Sequence, residues 1–150
     1  MDTIAQILNR KPFIWDNYFA NDGPRQCKFL RLKPLEGRTH NALQKSAGWA
    51  FNLMNQPSLS EILFAASTEV LQKGANPTES FHRVVKQLAG PQFQRVLETH
   101  GPALLELGLD HLGDDRKKDL FASLDGSRFS QEISDWLNGA YVVGAECLTD

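Results

Sequence analysis

The residues best suited to chemistry lie in the acidic C-terminal third of the chain, where two histidines and several carboxylates occur within sixteen positions. The candidate ligands for a divalent cation are His100, Asp110, His111 and Asp114. Imidazole and carboxylate groups are common metal ligands. However, Gly113 places a bend between these residues, and Asp114 stands where a helix N-terminus favours negative charge. We therefore interpret Asp114 and Asp115 as helix-capping residues, with a metal site as the alternative.

His100 falls on the apolar face of a segment with helical periodicity. A histidine in such a position is more often a core residue with satisfied hydrogen bonds than a ligand. The sequence leaves both interpretations open for His100.

Other catalytic signatures are missing from the sequence, which contains no glycine-rich phosphate loop, no His-Glu-x-x-His and no Gly-x-Ser-x-Gly. Cys27 and Cys147 lie 120 positions apart without neighbouring histidines, which favours two ordinary thiols over a disulfide or a zinc site. The sequence therefore predicts a protein that is not an enzyme, with no catalytic residue, no bound metal and no cofactor.

Charge is distributed unevenly along the chain. Residues 25–45 carry six basic side chains against one acidic one, a net charge of +5, and residues 96–150 carry eleven acidic against four basic ones, a net charge of −7. The candidate partner-binding residues of the basic segment are Arg25, Lys28, Arg31, Lys33 and Arg38. These side chains could neutralise phosphates beside Phe29, or their aliphatic stems could lie over apolar surface. The two charged regions could likewise cancel each other or form two binding surfaces.

Apolar residues recur every three or four positions from Thr39 onward, which predicts a series of helices. The first covers residues 39–54, and the second begins at a capping box formed by Ser58 and Glu61. A third begins at Asn76-Pro77, with breaks at Gly90-Pro91 and Gly101-Pro102. The last helix is predicted over Phe129–Leu148; the alternative is a break at Asn138-Gly139 with residues 141–145 extended.

The N-terminal region is less regular. Four aromatic residues occur within Phe13–Phe19, and we interpret this segment as one that docks into the core. Residues 26–33 fit neither a strand nor two turns of helix cleanly, with a preference for an extended conformation. The predicted fold class is all-α: a compact bundle of six to eight short helices with one short irregular or extended segment near residues 26–33.

Length and composition favour a single domain, because 150 residues with 41% hydrophobic content can bury one core. Within it, the aromatic and basic segment 1–38 is expected to pack on the helical core 39–150. The N-terminus lacks a basic region followed by a long apolar run, and no apolar stretch is long enough to span a membrane. We expect a soluble cytoplasmic protein without membrane contact.

Two families show similarities to parts of this sequence. Phe29-Leu30-Arg31-Leu32-x-Pro34 and His40-Asn41-Ala42-Leu43, followed by many short helices, resemble the small helical subunit of CRISPR surveillance complexes. That resemblance implies contact with nucleic acid and neighbouring subunits without catalysis. Trp136-x-x-x-Ala140-Tyr141, placed 36 residues after His100, is similar to the last helix and haem-ligating histidine of bacterial globins.

The function predicted from sequence is that of a non-catalytic interaction protein, such as an adaptor, inhibitor or assembly subunit. Its partner is expected to be a protein bound through the basic residues of segment 25–38. The alternatives are a nucleic-acid-associated subunit using residues 25–45, and a globin-like haem or metal protein using His100. The sequence leaves the oligomeric state open.

Overall fold

The computed structural model describes residues 1–144, which form seven α-helices, one 3₁₀ turn and a two-stranded sheet. The helices are α1 (Asp2–Leu8), α2 (His40–Gln44), α3 (Pro57–Lys73), α4 (Pro77–Glu106), α5 (Gly108–His111), α6 (Asp114–Ser123) and α7 (Arg128–Leu137). The strands are β1 (Phe13–Asp16) and β2 (Gly48–Phe51), and the 3₁₀ turn covers Gln26–Lys28. The fold is therefore mostly helical, and the all-α prediction is correct only in part.

The core lies where α3 packs against α4 and α7. Leu59, Ile62 and Leu63 of α3 are fully buried there. The rings of Phe93 and Phe129 meet at 5.7 Å between centroids. Trp136 of α7 is buried, and its indole Nε1 donates a hydrogen bond to the Cys27 carbonyl oxygen at 2.9 Å. This bond joins the last helix to the 3₁₀ turn near the start of the chain.

The sheet is the main departure from the sequence prediction. Strands β1 and β2 are parallel, with Phe13 opposite Gly48 and Asp16 opposite Phe51. The predicted helix over residues 39–54 is wrong: α2 ends at Gln44, and the Ala47 amide donates to the Pro12 carbonyl oxygen at 2.8 Å as β2 begins. The pairing fits Gly48, since a Cβ there would lie 2.6 Å from the Phe13 ring.

The aromatic segment Phe13–Phe19 is not uniformly buried. Phe19 lies in the core, but Phe13 and Trp15 are 64% and 67% exposed because they share one face of β1. The prediction of a core-docking segment is therefore wrong for those two residues. Residues 26–33 contain the short 3₁₀ turn followed by chain without regular structure, in agreement with the predicted irregular segment.

The N-terminus of α3 is capped from a distant helix. The predicted capping box is not formed, and Glu61 instead pairs with Arg128. The carboxylate of Glu132, on α7, accepts hydrogen bonds from the amides of Ser58 and Leu59, each at 2.8 Å. Amide groups at a helix N-terminus lack partners within the helix, so this carboxylate satisfies two of them.

Helix α4 begins as the sequence predicts, because the Asn76 side chain accepts hydrogen bonds from the amides of Thr78 and Glu79. The break at Gly90-Pro91 is confirmed by non-helical backbone angles at Gly90 (φ 84°, ψ 171°). The predicted break at Gly101-Pro102 is wrong, since α4 continues through both residues to Glu106.

Helix α7 ends at Leu137, with Asn138 as its C-cap and Gly139 at φ 79°. The predicted helix to Leu148 is therefore too long, and the alternative break at Asn138-Gly139 is confirmed. Tyr141 still lies in the turn and no strand is formed up to Gly144, so the extended stretch of that alternative is not shown. Residues 145–148 of that predicted helix, including Cys147, lie outside the described residues. Between Met1 and Gly144, no helix is both long enough and apolar enough to cross a bilayer.

Gly108 gives a first prediction about stability. It has φ +66°, and a Cβ at this position would lie 2.7 Å from the Lys28 carbonyl oxygen and 2.8 Å from the Phe29 ring. We expect Gly108→Ala to lower the free energy of unfolding by about 2 kcal/mol in urea denaturation. The matched control Gly113→Ala shares the positive φ but has open space around its Cβ. This control should lower the free energy of unfolding by about 1 kcal/mol. An equal loss in both variants would show that the close approach of residue 108 to Lys28 and Phe29 is unimportant.

Candidate functional site

A polar concavity lies just beyond the carboxyl ends of the two parallel strands. Asn17 directly follows β1 and Asn52 directly follows β2, so the strand register brings both residues to the same cavity. The cavity there measures about 600 Å³, within the usual range for ligand sites. Its lining consists of Trp15, Asn17, Tyr18, Ala20, Asp22, Gln26, Arg31 and Asn52.

The hydrogen bonds in this cavity fix which polar atoms remain for a ligand. Trp15 Nε1 donates to Asn17 Oδ1 at 2.9 Å, which leaves the Asn17 Nδ2 group as a donor. Asn52 Nδ2 donates to Asp22 Oδ2 at 2.9 Å, which leaves Asn52 Oδ1 and Asp22 Oδ1 as acceptors. The cavity thus presents a donor and two acceptors together, a set suited to hydroxyl groups, which both donate and accept.

The loop that carries Asp22 is anchored by its buried neighbour Asn21. The side-chain Nδ2 group of Asn21 donates to Gln56 Oε1 at 2.9 Å and to the Phe29 carbonyl oxygen at 3.2 Å. Its Oδ1 accepts from the Asn55 amide at 2.7 Å. These bonds connect the loop to the segment that follows β2, so the position of Asp22 is set by the fold.

The other end of this loop is held by Asp16, which is 5% exposed. Arg38 donates to it twice, from Nε at 2.9 Å and from Nη2 at 2.8 Å. The Tyr18 amide donates at 3.0 Å and Trp49 Nε1 at 3.2 Å. Burial raises the pKa of the Asp16 carboxyl, but these hydrogen bonds and the Arg38 charge outweigh it, so the pKa lies below its ordinary value. We call this arrangement the Asp16–Arg38 clamp.

Tyr18 connects the clamp to the cavity wall. The Arg38 guanidinium lies 4.4 Å from the centroid of its ring, and the Lys33 ammonium lies 4.0 Å from it. The Tyr18 hydroxyl donates to the Pro34 carbonyl oxygen at 3.2 Å. Cations close to an aromatic face are attracted by its quadrupole. Tyr18 is therefore held in the cavity wall by two cations and one hydrogen bond.

The five predicted partner-binding residues make different contacts in the structure. Arg38 belongs to the clamp, Lys33 contacts Tyr18, and Arg31 lines the main cavity. Arg25 and Lys28 border a separate cavity of about 220 Å³, where Lys28 pairs with Asp110 at 2.5 Å. That ion pair joins the basic segment to the acidic one.

The predicted metal ligands do not come together. Asp110 pairs with Lys28, His111 is exposed, and His100 is half-buried beside an open groove. Asp114 lies in the first turn of α6, but Gly113 occupies the N-cap position and no side chain there forms a capping bond. Across residues 1–144, no group of three or more His, Cys, Asp or Glu side chains is arranged to hold a metal.

Sequence reasoning missed the cavity residues Trp15, Asn17, Asp22 and Asn52. One signal was available: Phe13-Ile14-Trp15 has the aromatic and β-branched composition of a strand, and polar Asp16-Asn17 follows at once. In parallel sheets, ligand-binding residues commonly follow the carboxyl ends of strands. No comparable signal marks Asn52, because its segment has helical periodicity.

Comparison with known proteins finds a matching family and a similar fold. Residues 1–100 match the family model described as beta-N-acetylglucosaminidase. The fold is similar to that of a substituted O-GlcNAc hydrolase from Thermobaculum terrenum, with a TM-score of 0.64 and 23% sequence identity. The match covers 94% of this chain and 37% of that structure, so the chain spans little more than a third of the other protein's length.

These matches correct the functional predictions made from sequence. The predicted non-catalytic adaptor, inhibitor or assembly subunit is wrong, as is the expectation that the protein is not an enzyme domain, because the matched family is one of glycoside hydrolases. The alternatives of a ribonucleoprotein subunit and a globin-like protein are wrong for the same reason. With two thirds of its length matched by the family model, the chain belongs to the beta-N-acetylglucosaminidase family.

Proposed function

We propose that the cavity at the ends of β1 and β2 binds an N-acetylglucosamine unit, and that the chain supplies the sugar-binding part of a β-N-acetylglucosaminidase active site. The observation that carries this proposal is the set of free polar atoms left by the Trp15–Asn17 and Asn52–Asp22 hydrogen bonds. Family membership supplies the class of sugar.

Each polar group has a defined role in this proposal. A sugar hydroxyl donates to Asp22 Oδ1 in a charge-assisted hydrogen bond, which is stronger than a neutral one. Neighbouring hydroxyls accept from Asn17 Nδ2 and donate to Asn52 Oδ1. The exposed indole of Trp15 offers an apolar surface for the C–H groups of the ring or the acetamido methyl group.

Proton transfer requires groups that these residues do not provide. Most glycoside hydrolases use a pair of carboxyl groups, about 5–10 Å apart, on the two sides of the scissile bond. In the described part of the chain, Asp22 is the single carboxylate that lines the cavity, and Asp16 is fully engaged by the clamp. We therefore assign sugar binding to this chain and the acid–base pair to structure beyond residues 1–144.

The exposed face of β1 provides a place for that further structure. Parallel sheets are normally covered on both faces, yet Phe13 and Trp15 are exposed, and β2 is the one strand that pairs with β1 among the described residues. Additional strands and helices placed against this face would close the cavity on the side of Trp15.

Calorimetric titration with N-acetylglucosamine tests the proposed function. We expect binding with a dissociation constant of about 1 mM, because an open polar site gains little net free energy. Asp22→Asn should weaken binding about tenfold through loss of the charge-assisted hydrogen bond. The matched control Asp115→Asn alters an exposed carboxylate of α6 and should bind like the unaltered protein. Equal affinities in all three proteins would contradict the assignment of Asp22.

A further inference from the structure

Arg31 is a feature of the cavity that a neutral sugar does not explain. It is the one basic side chain among the lining residues described for this cavity. It is half-buried, and its guanidinium carbon lies 5.4 Å from the centroid of the Phe29 ring. Its Nη2 donates to Oε1 of Gln26, which also lines the cavity. The cation–π contact with Phe29 and this hydrogen bond position the guanidinium at the cavity.

The charge of Arg31 is not neutralised by an ion pair within residues 1–144, unlike the charges of Arg38 and Lys28 nearby. A guanidinium has five N–H donors in a planar fork that matches the oxygens of phosphate and carboxylate groups. One donor group is used by Gln26, so others remain for a ligand.

The cavity therefore combines two kinds of recognition. Asp22 and Asn52 accept hydrogen bonds from hydroxyl groups, whereas Arg31 favours an anion. A volume of about 600 Å³ leaves room for a substituent in addition to a sugar ring. A ligand with hydroxyls on one part and a negative charge on another would form both kinds of contact. The opposite charges of Asp22 and Arg31 would then fix its orientation.

We infer that Arg31 makes this site selective for N-acetylglucosamine ligands that carry an oxyanion. The inference rests on the proposed function, which it extends from a sugar to an anionic class of substrate. The oxyanion belongs either to a substituent on the sugar ring or to the group attached at the anomeric carbon. The chemistry that Arg31 recognises is the same in both cases.

Three probes separate these sources: neutral N-acetylglucosamine, its 6-phosphate and its 1-phosphate, each titrated at about 50 mM salt where screening is weak. We expect one of the phosphates to bind about fivefold more tightly than the neutral sugar, the upper range for a partly exposed ion pair. A gain for the 6-phosphate places the anion on the ring, and a gain for the 1-phosphate places it at the anomeric position.

Two variants test whether Arg31 is responsible. Arg31→Gln should remove the advantage of the phosphate and leave the affinity for neutral sugar within about twofold, since a hydrogen-bonding side chain is retained. Arg25→Gln is the matched control, because Arg25 is exposed and lies outside this cavity. It should keep most of the advantage, because it removes the same charge from the protein as Arg31→Gln but leaves the guanidinium in the cavity.

The possible results separate a failure of this inference from a failure of the proposed function. Binding of neutral sugar without any gain for either phosphate would overturn the selectivity of Arg31 alone. The inference would also be overturned if Arg31→Gln still bound a sugar phosphate more tightly than the neutral sugar. Failure of all three sugars to bind would overturn the proposed function and the inference together.

Discussion

Arg38→Met is expected to lower the free energy of unfolding by about 3 kcal/mol, because it leaves the buried Asp16 carboxylate without its cation. Asp16 would retain bonds from the Tyr18 amide and Trp49 but lose both from Arg38. Urea denaturation at pH 7 measures the loss. The double variant Asp16→Asn with Arg38→Met should recover part of it, since the unpaired charge is then removed.

A matched control for this variant is Arg83→Met, which removes an arginine paired with Glu69 at a more exposed position. Exposed ion pairs contribute little, so this change should cost less than about 1 kcal/mol. The role of the clamp would be contradicted if Arg38→Met and Arg83→Met had similar stabilities.

The clamp also predicts how stability depends on pH. The pKa of Asp16 is lower in the folded protein than its ordinary value. The ionised carboxylate therefore stabilises the folded state above about pH 4, and this contribution is lost as the pH falls through the folded-state pKa. In Arg38→Met the folded-state pKa should rise, because burial is no longer opposed by the arginine. The stability lost on acidification should therefore be smaller than in the unaltered protein in a series of urea titrations.

Glu132→Ala is expected to destabilise the fold by about 3 kcal/mol, since two amides at the N-terminus of α3 would lose a buried charged acceptor. The side chain is 7% exposed, so water cannot easily replace it. Glu132→Gln keeps one acceptor oxygen but loses the charge, and it should cost about half as much. Both losses can be read from urea denaturation.

Glu61→Ala provides the comparison for Glu132, because Glu61 lies in the region of α3 where the sequence suggested a capping role. Its carboxylate pairs with Arg128 at an exposed position. We expect a loss below about 1 kcal/mol. A larger effect from Glu61→Ala than from Glu132→Ala would mean that the helix is capped locally after all.

Local chemistry predicted some helix features correctly, although the capping box at Ser58 and Glu61 and the break at Gly101-Pro102 were wrong. Asn76 caps α4 through amides two and three residues away, and Gly90 interrupts it through its own backbone angles. Strand β2 could not be recognised in this way. Its residues also fit a helical period, and their strand conformation depends on pairing with β1, 35 positions earlier.

The candidate site was hidden from sequence reasoning for the same reason. Asn17 and Asn52 become neighbours through the register of two short strands, and Asp22, which bonds to Asn52, lies next to the anchored residue Asn21. The cap on α3 comes from Glu132, more than 70 residues away. Without these long-range contacts, the charged residues of segment 25–38 were the more visible candidates.

The proposed function depends on whether the atoms left free by Trp15, Asn17, Asp22 and Asn52 bind a sugar. Nuclear magnetic resonance can follow the side-chain amide signals of both asparagines and the Trp15 indole signal during titration with N-acetylglucosamine. We predict that these signals shift together and saturate at one dissociation constant, while the Trp136 indole signal, buried in the core, stays in place. Unchanged asparagine and Trp15 signals at saturating sugar, or shifts confined to another part of the molecule, would contradict the account.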